Sequence, residues 1–195
     1  VNNLQPTDQM LDSPTNNFAT LNPLGKMGGC TISEGNLKFA TTSSGAPAVT
    51  GSHVVSSGKW YFEVYLVAVN NAVSVGFVGS DEIYDSGPYS NTNGVGWYTQ
   101  DGFSNKYING TGTSYGSNWS WGAKNTSIIG VAVDFDSGTN NVTFYLDNVS
   151  QGAFSATLSG DFVAVITEDS GGSASTLIAN FGQDSSFAGN KTAQG

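Results

Sequence analysis

The sequence predicts an all-β protein, a two-sheet antiparallel β-sandwich with an extended N-terminal arm, and three observations carry that expectation. Apolar residues alternate with a period of two in the apolar segments. No ten-residue stretch shows a helical apolar period. Twenty-six glycines, with only 11% of the 195 residues charged, supply the tight turns that many short strands require. A chain of this length is about one domain and can bury a core without covalent staples.

The elements follow in order. Residues 1–30 read as an extended arm, with apolar anchors at Leu4, Met10, Leu11, Phe18, Leu21 and Leu24. Pro6, Pro14 and Pro23 interrupt any helix there, so the arm is expected to lie against a sheet. Phe18, Leu21 and Leu24 are its assembly contacts, docking on the sandwich or on a neighbour. Strands begin near Thr31. Trp60, Phe62, Val64 and Leu66 alternate with Tyr61, Glu63, Tyr65 and Val67, and Val73, Val75 and Phe77 continue the pattern after Asn70-Asn71.

A hairpin is expected from Ile128 to Asp147. Ile129, Val131, Val133 and Phe135 share one face, and Val142, Phe144 and Leu146 answer them across the turn that starts at Asp136-Ser137-Gly138. Strands at Phe162–Ile166 and Leu177–Phe181 flank a Gly-Ser loop at Ser170–Ser175. The sandwich therefore spans 31–183, and 184–195 is a polar tail. Both ends of the chain look cut, so a segment of a longer polypeptide, or a chain processed at its N-terminus, is expected.

Charge and composition narrow the function. Fifteen acidic residues oppose six basic ones, all lysine, for a formal charge of −9. Nucleic-acid binding, which runs on clustered Arg and Lys, is not expected. Membrane insertion is not expected either, because no apolar run approaches the ~20 residues of a spanning helix. Val1 to Met10, polar and uncharged apart from Asp8, is unlike a secretory leader. A single cysteine, Cys30, excludes an internal disulfide.

Candidate chemistry is sparse, and no catalytic residue, metal or cofactor is expected. The lone histidine, His53, has no zinc-ligand companion, and no nucleophile elbow surrounds a serine. Asp134 and Asp136 precede Ser137-Gly138-Thr139, an oxygen-rich loop that an Asx turn explains without calcium. Glu63, Asp101 and Glu168-Asp169 qualify as hydrolytic carboxylates only by residue type, with Glu168-Asp169 placed in the Gly-Ser loop.

The stretch from Asp81 to Trp121 has another character. Its Tyr, Trp, Asn, Gly and Ser resemble the chemistry of binding loops, where rigid amphipathic rings stand beside small polar groups. Trp97 and Trp119 are expected to fill core. Tyr84, Tyr89, Phe103, Tyr107 and Trp121 are the ligand-binding candidates, carried on aromatic loops.

Several motifs in order resemble the SPRY domain. Gly58-Lys59-Trp60-Tyr61-Phe62-Glu63-Val64 is similar to an early strand of that family, and Val73-Ser74-Val75-Gly76-Phe77-Val78 to the next. Gly94-Val95-Gly96-Trp97, Ile129-Gly130-Val131-Ala132-Val133-Asp134-Phe135-Asp136, Val142-Thr143-Phe144-Tyr145 and Asn180-Phe181-Gly182-Gln183 complete the series. Where the family usually has an Asn-Gly turn after the Phe144 strand, this chain has Asp147-Asn148. The resemblance implies a concanavalin-like sandwich of the jelly-roll type.

The segment Asp12-Ser13-Pro14-Thr15-Asn16-Asn17-Phe18-Ala19-Thr20-Leu21-Asn22-Pro23-Leu24 is similar to the one that precedes SPRY-like domains in structural proteins of tailed bacteriophages. That resemblance implies a non-enzymatic virion surface protein, in a tail, fibre or capsid. Its expected partners are other virion proteins, further copies of itself and a host-surface glycan or protein. Two other readings stay open: a purely structural decoration or fibre subunit, and a cellular interaction module that binds a peptide through its loops.

Overall fold

A computed structural model describes residues 17–42, 46–82, 87–120, 125–169 and 174–191. Fourteen strands and no helix occur among the described residues: β1 (Leu21–Met27), β2 (Cys30–Ser33), β3 (Lys38–Thr41), β4 (Ala48–Val55), β5 (Lys59–Ala68), β6 (Ala72–Gly79), β7 (Gly94–Gln100), β8 (Phe103–Ile108), β9 (Thr111–Ser114), β10 (Ile128–Asp134), β11 (Asn140–Leu146), β12 (Val149–Ala156), β13 (Phe162–Asp169) and β14 (Thr176–Asn180). They form two seven-stranded sheets, ordered β1-β4-β13-β6-β7-β8-β9 and β12-β11-β10-β5-β14-β3-β2. Every pairing between neighbouring strands is antiparallel.

The expected hairpin is β10–β11, in register from Ile129–Leu146 to Asp134–Asn141. The inner faces of the two sheets meet through Phe62, Val64 and Leu66 of β5, Val75 and Phe77 of β6, Trp97 of β7 and Phe144 of β11, all buried. Rings lock the layers together: Phe62 meets Phe77 edge-on at 5.4 Å, and Phe135 stacks on Phe162 at 5.0 Å. Trp97 and Trp119 fill the core as expected, crossing at 90° with centroids 5.7 Å apart.

Four features differ from the sequence expectation, each for a local reason. The arm is part of a sheet from Leu21 onward, as edge strand β1 paired with β4. Pro23 masks that strand, yet proline is tolerated on an edge, and the register slips between Leu21 and Lys26 around it. Leu21 is consequently buried, whereas Leu24 is 92% exposed and docks on nothing among the described residues. Phe18 is half-buried against Gly182, and the rest of the arm, residues 1–16, lies outside the described residues.

The second difference lies at the end of β13. Glu168 and Asp169 close that strand by pairing with Val73 and Ala72, and are not loop residues. Glu168 is fully buried, accepting hydrogen bonds from Ser175 Oγ at 2.5 Å and Asn71 Nδ2 at 3.1 Å. Third, the stretch read as a polar tail starts as a packed turn. Phe187 is buried beside Tyr65, Leu37 and Ile178 on the outer face of the second sheet.

Fourth, the stretch 81–121 is not all loop, because it carries β7, β8 and β9. The β8–β9 hairpin turns at Asn109-Gly110, and the β11–β12 hairpin at Asp147-Asn148. All four residues have φ between 48° and 76°. Two consecutive positive φ angles define the type I′ turn, which suits the twist of paired strands. Asp147-Asn148 thus does the work of the expected Asn-Gly pair.

Candidate functional site

Alternation along β7 sends Trp97 inward and Gly96, Tyr98 and Gln100 to the outer face of the first sheet. The register with β8 sets Tyr107 opposite Gly96, Asn105 opposite Tyr98 and Phe103 opposite Gln100. Phe103 and Tyr107 are therefore strand residues that share one face. Tyr89 joins them from the segment leading into β7. Gly96 admits this approach, since a Cβ there would stand 2.4 Å from Pro88 Cβ.

The result is a four-ring cluster centred on Tyr98. Tyr89, Tyr107 and Phe103 meet the Tyr98 ring edge-on, with centroids at 5.2, 5.9 and 6.0 Å, and Tyr89 meets Tyr107 at 6.2 Å. Tyr98 itself is buried, while the other three rings are half-buried and line its rim. These three do not project freely from loops, because each uses an edge or face against Tyr98. Tyr84 and Trp121, the remaining ring candidates, lie outside the described residues.

The cluster has a polar margin. Tyr98 donates its hydroxyl to Asp169 Oδ2 at 2.9 Å, with Gln100 Oε1 at 3.2 Å. Burial, then that hydrogen bond and the Asp169 charge, push the Tyr98 phenol well above its ordinary range. Tyr89 is pushed up to about 12, chiefly by burial, then by Asp169 and Tyr107. Both phenols are neutral donors at physiological pH. The nearby Lys106 turns to the other side of β8, with Nζ 4.4 Å from the Phe154 centroid and 5.4 Å from that of Tyr115.

The candidate carboxylates are not assembled into one site. Glu63 lies on the outer face of the second sheet, accepting from Tyr61 OH at 2.9 Å and Asn180 Nδ2 at 3.1 Å. Glu168 is inside the sandwich, and Asp101 is exposed beside the β7–β8 turn. Asp134 Oδ1 accepts from the Asp136 N–H at 3.1 Å, the expected Asx turn, and its Oδ2 faces Lys59 Nζ at 3.4 Å. Asp136 Oδ1 accepts from the Gly58 N–H at 2.7 Å. Ser52 Oγ lies 3.1 Å from His53 Nδ1.

Sequence reasoning missed Tyr98 as the centre of the cluster. Asn109-Gly110, a strong hairpin signal, was the clue that Phe103–Ile108 is a strand and shares a face with its neighbour.

Solved structures with this arrangement of two sheets decide the fold. It is the fold of SPRY domains. The SPRY domain of human HERC1 superposes with a TM-score of 0.64 at 17% identity, covering 84% of this chain and 99% of that one. The TRIM65 PSpry domain gives 0.65 at 17% identity, covering 84% and 90%. A further human SPRY domain gives 0.61 at 21% identity, covering 82% and 99%. No protein-family model matches the sequence, and no curated protein matches it.

Proposed function

We propose that this SPRY-fold domain is a non-enzymatic recognition and assembly module on a virion surface, in a tail, fibre or capsid. Its partners are neutral surfaces, either neighbouring virion proteins or a host-surface glycan or protein. One observation carries the binding half of this reading: the Tyr89, Tyr98, Phe103 and Tyr107 rings converge on one sheet face with hydroxyl groups at their margin. Such rings offer an apolar face and a polar edge, which suits sugars and neutral protein surfaces. With a net charge of −9 and no arginine, the chain has little to attract an anionic partner. The virion assignment rests on the resemblance of the Asp12–Leu24 segment to phage structural proteins.

A second reading, a cellular protein-interaction module, is favoured by the fold's likeness to human SPRY domains. One experiment tests the first reading at the Tyr98 face. Labelled protein is applied to bacterial cells and to an array of neutral bacterial glycans, beside the double variant Tyr89→Ala, Phe103→Ala. The variant is expected to fold and to lose at least tenfold in binding, and moderate salt is expected to leave wild-type binding in place. A variant that binds normally, with wild-type binding abolished by salt, would place the contact elsewhere and make it electrostatic.

A further inference from the structure

The two sheets do not close on each other at one end. Between them lies a cavity of about 240 Å³, walled by Phe77 and Ala164 of the first sheet, Trp60 of the second, and Phe18, His53 and Phe181. Protein interiors are close-packed, and apolar walls that face empty space forgo their dispersion contacts. Among the described residues, an apolar gap of this size leaves room for a bound group to complete those contacts.

Trp60 makes the case specific. It shares inward parity with Phe62, Val64 and Leu66, all buried, yet it is 42% exposed. Its indole N–H is tied back to the Ser57 carbonyl at 2.7 Å, so the ring is held at the mouth and not collapsed into the gap. The opposite wall is equally fixed. The Ala19 carbonyl accepts from Gln183 Nε2 at 2.9 Å, Thr20 and Ser52 bond to each other across the edge of β4, and Phe181 stacks near Phe62 at 5.5 Å.

The walls also define the chemistry. In a chain of net charge −9, no Asp, Glu, Lys or Arg lines this cavity among the described residues, so it suits an uncharged occupant. A cavity of roughly 150 Å³ is enough for benzene, so this one admits a single six-membered or indole ring. The surrounding rings offer the edge-to-face and stacked contacts that aromatic groups prefer. A pyranose, with a hydroxyl on nearly every carbon, would find few partners beyond Asn17 and His53 at the rim.

We propose that this cavity is a second binding site, separate from the Tyr98 cluster, which receives one uncharged aromatic side chain presented by a partner protein. A pocket with fixed apolar walls is the kind of place where interfaces seat their dominant anchors.

The test uses the full chain and N-acetyl-L-phenylalaninamide as probe, with N-acetyl-L-alaninamide and methyl α-glucoside as comparisons. His53, the only histidine, gives a single reporter resonance in NMR. The phenylalanine amide is expected to shift it saturably, with a dissociation constant around 1 mM, as befits so small a ligand. The alanine amide is expected to leave it unmoved. Trp60→Ala, at a position 42% exposed, is expected to keep the fold and to weaken binding at least tenfold, and Trp60→Phe to restore most of it. Absence of a saturable shift up to the probe's solubility would overturn the proposal, as would an equal response to the glucoside or unchanged binding by Trp60→Ala.

Discussion

Leu21 and Leu24 are three residues apart on one strand and have opposite fates. Leu21 is 1% exposed and Leu24 is 92% exposed, because the bulge around Pro23 turns the chain between them. Leu21→Ala is expected to destabilise the fold by about 2–5 kcal/mol, the usual range for a buried leucine. Leu24→Ser should leave the denaturation midpoint of the isolated protein unchanged. Urea unfolding followed by tryptophan fluorescence separates the two. The tyrosines give a second residue-level test. A phenol whose folded pKa is raised contributes stability that is complete below its unfolded value and disappears as pH rises through the folded one. Tyr89, raised to about 12, together with the raised Tyr98, should therefore cost stability from about pH 10 upward. Tyrosinate absorbance should show these phenols ionising late, and Asp169→Asn should bring the titration of Tyr98 earlier.

At the scale of elements, the C-terminal turn makes a distinct prediction. Burial raises the Asp184 pKa, but hydrogen bonds from the Ser186 hydroxyl and the Ala188 and Ser186 N–H groups together outweigh it, so the carboxyl is held below its usual range. A depressed carboxyl stabilises above its unfolded pKa, and that contribution is lost as pH falls through the folded value. The Phe187–Tyr65 contact should loosen below about pH 4 in the wild type. In Asp184→Asn it should already be loosened at neutral pH and respond little to acid. NMR of the Phe187 and Tyr65 rings reads both. The elements also show what was legible in the sequence. Strand β5 and the β10–β11 hairpin announce themselves, because each buries one face and leaves alternating residues outside. Strand β1 hides behind Pro23, and β8 hides in a stretch whose Tyr, Asn and Gly resemble loop chemistry. The Tyr98 cluster depends on the Gly96–Tyr107 register, and the open state of Trp60 contradicts its own parity. Both are set by tertiary neighbours, which no local pattern encodes.

For the whole molecule, the order of strands matters more than any one of them. Strand β13 lies between β4 and β6, and β14 lies between β3 and β5, so each sheet is joined at its middle by a late segment. Pairing of this non-local kind makes folding slow, in the millisecond-to-second range or beyond for all-β domains. A chain ending at Gly160 is expected to lack fixed tertiary structure, with no near-ultraviolet dichroism and no cooperative melt, although twelve of the fourteen strands are present. A cooperative melt in that fragment would show that the earlier strands hold together alone. Synthesis runs from the N-terminus, so the emerging chain carries β1–β4 apart from β6–β9, and β2–β3 apart from β5 and β10–β12, until the last strands clear the ribosome. During that interval four unclosed sheet edges face solvent, open to pairing with neighbouring chains until the last strands fill the gaps.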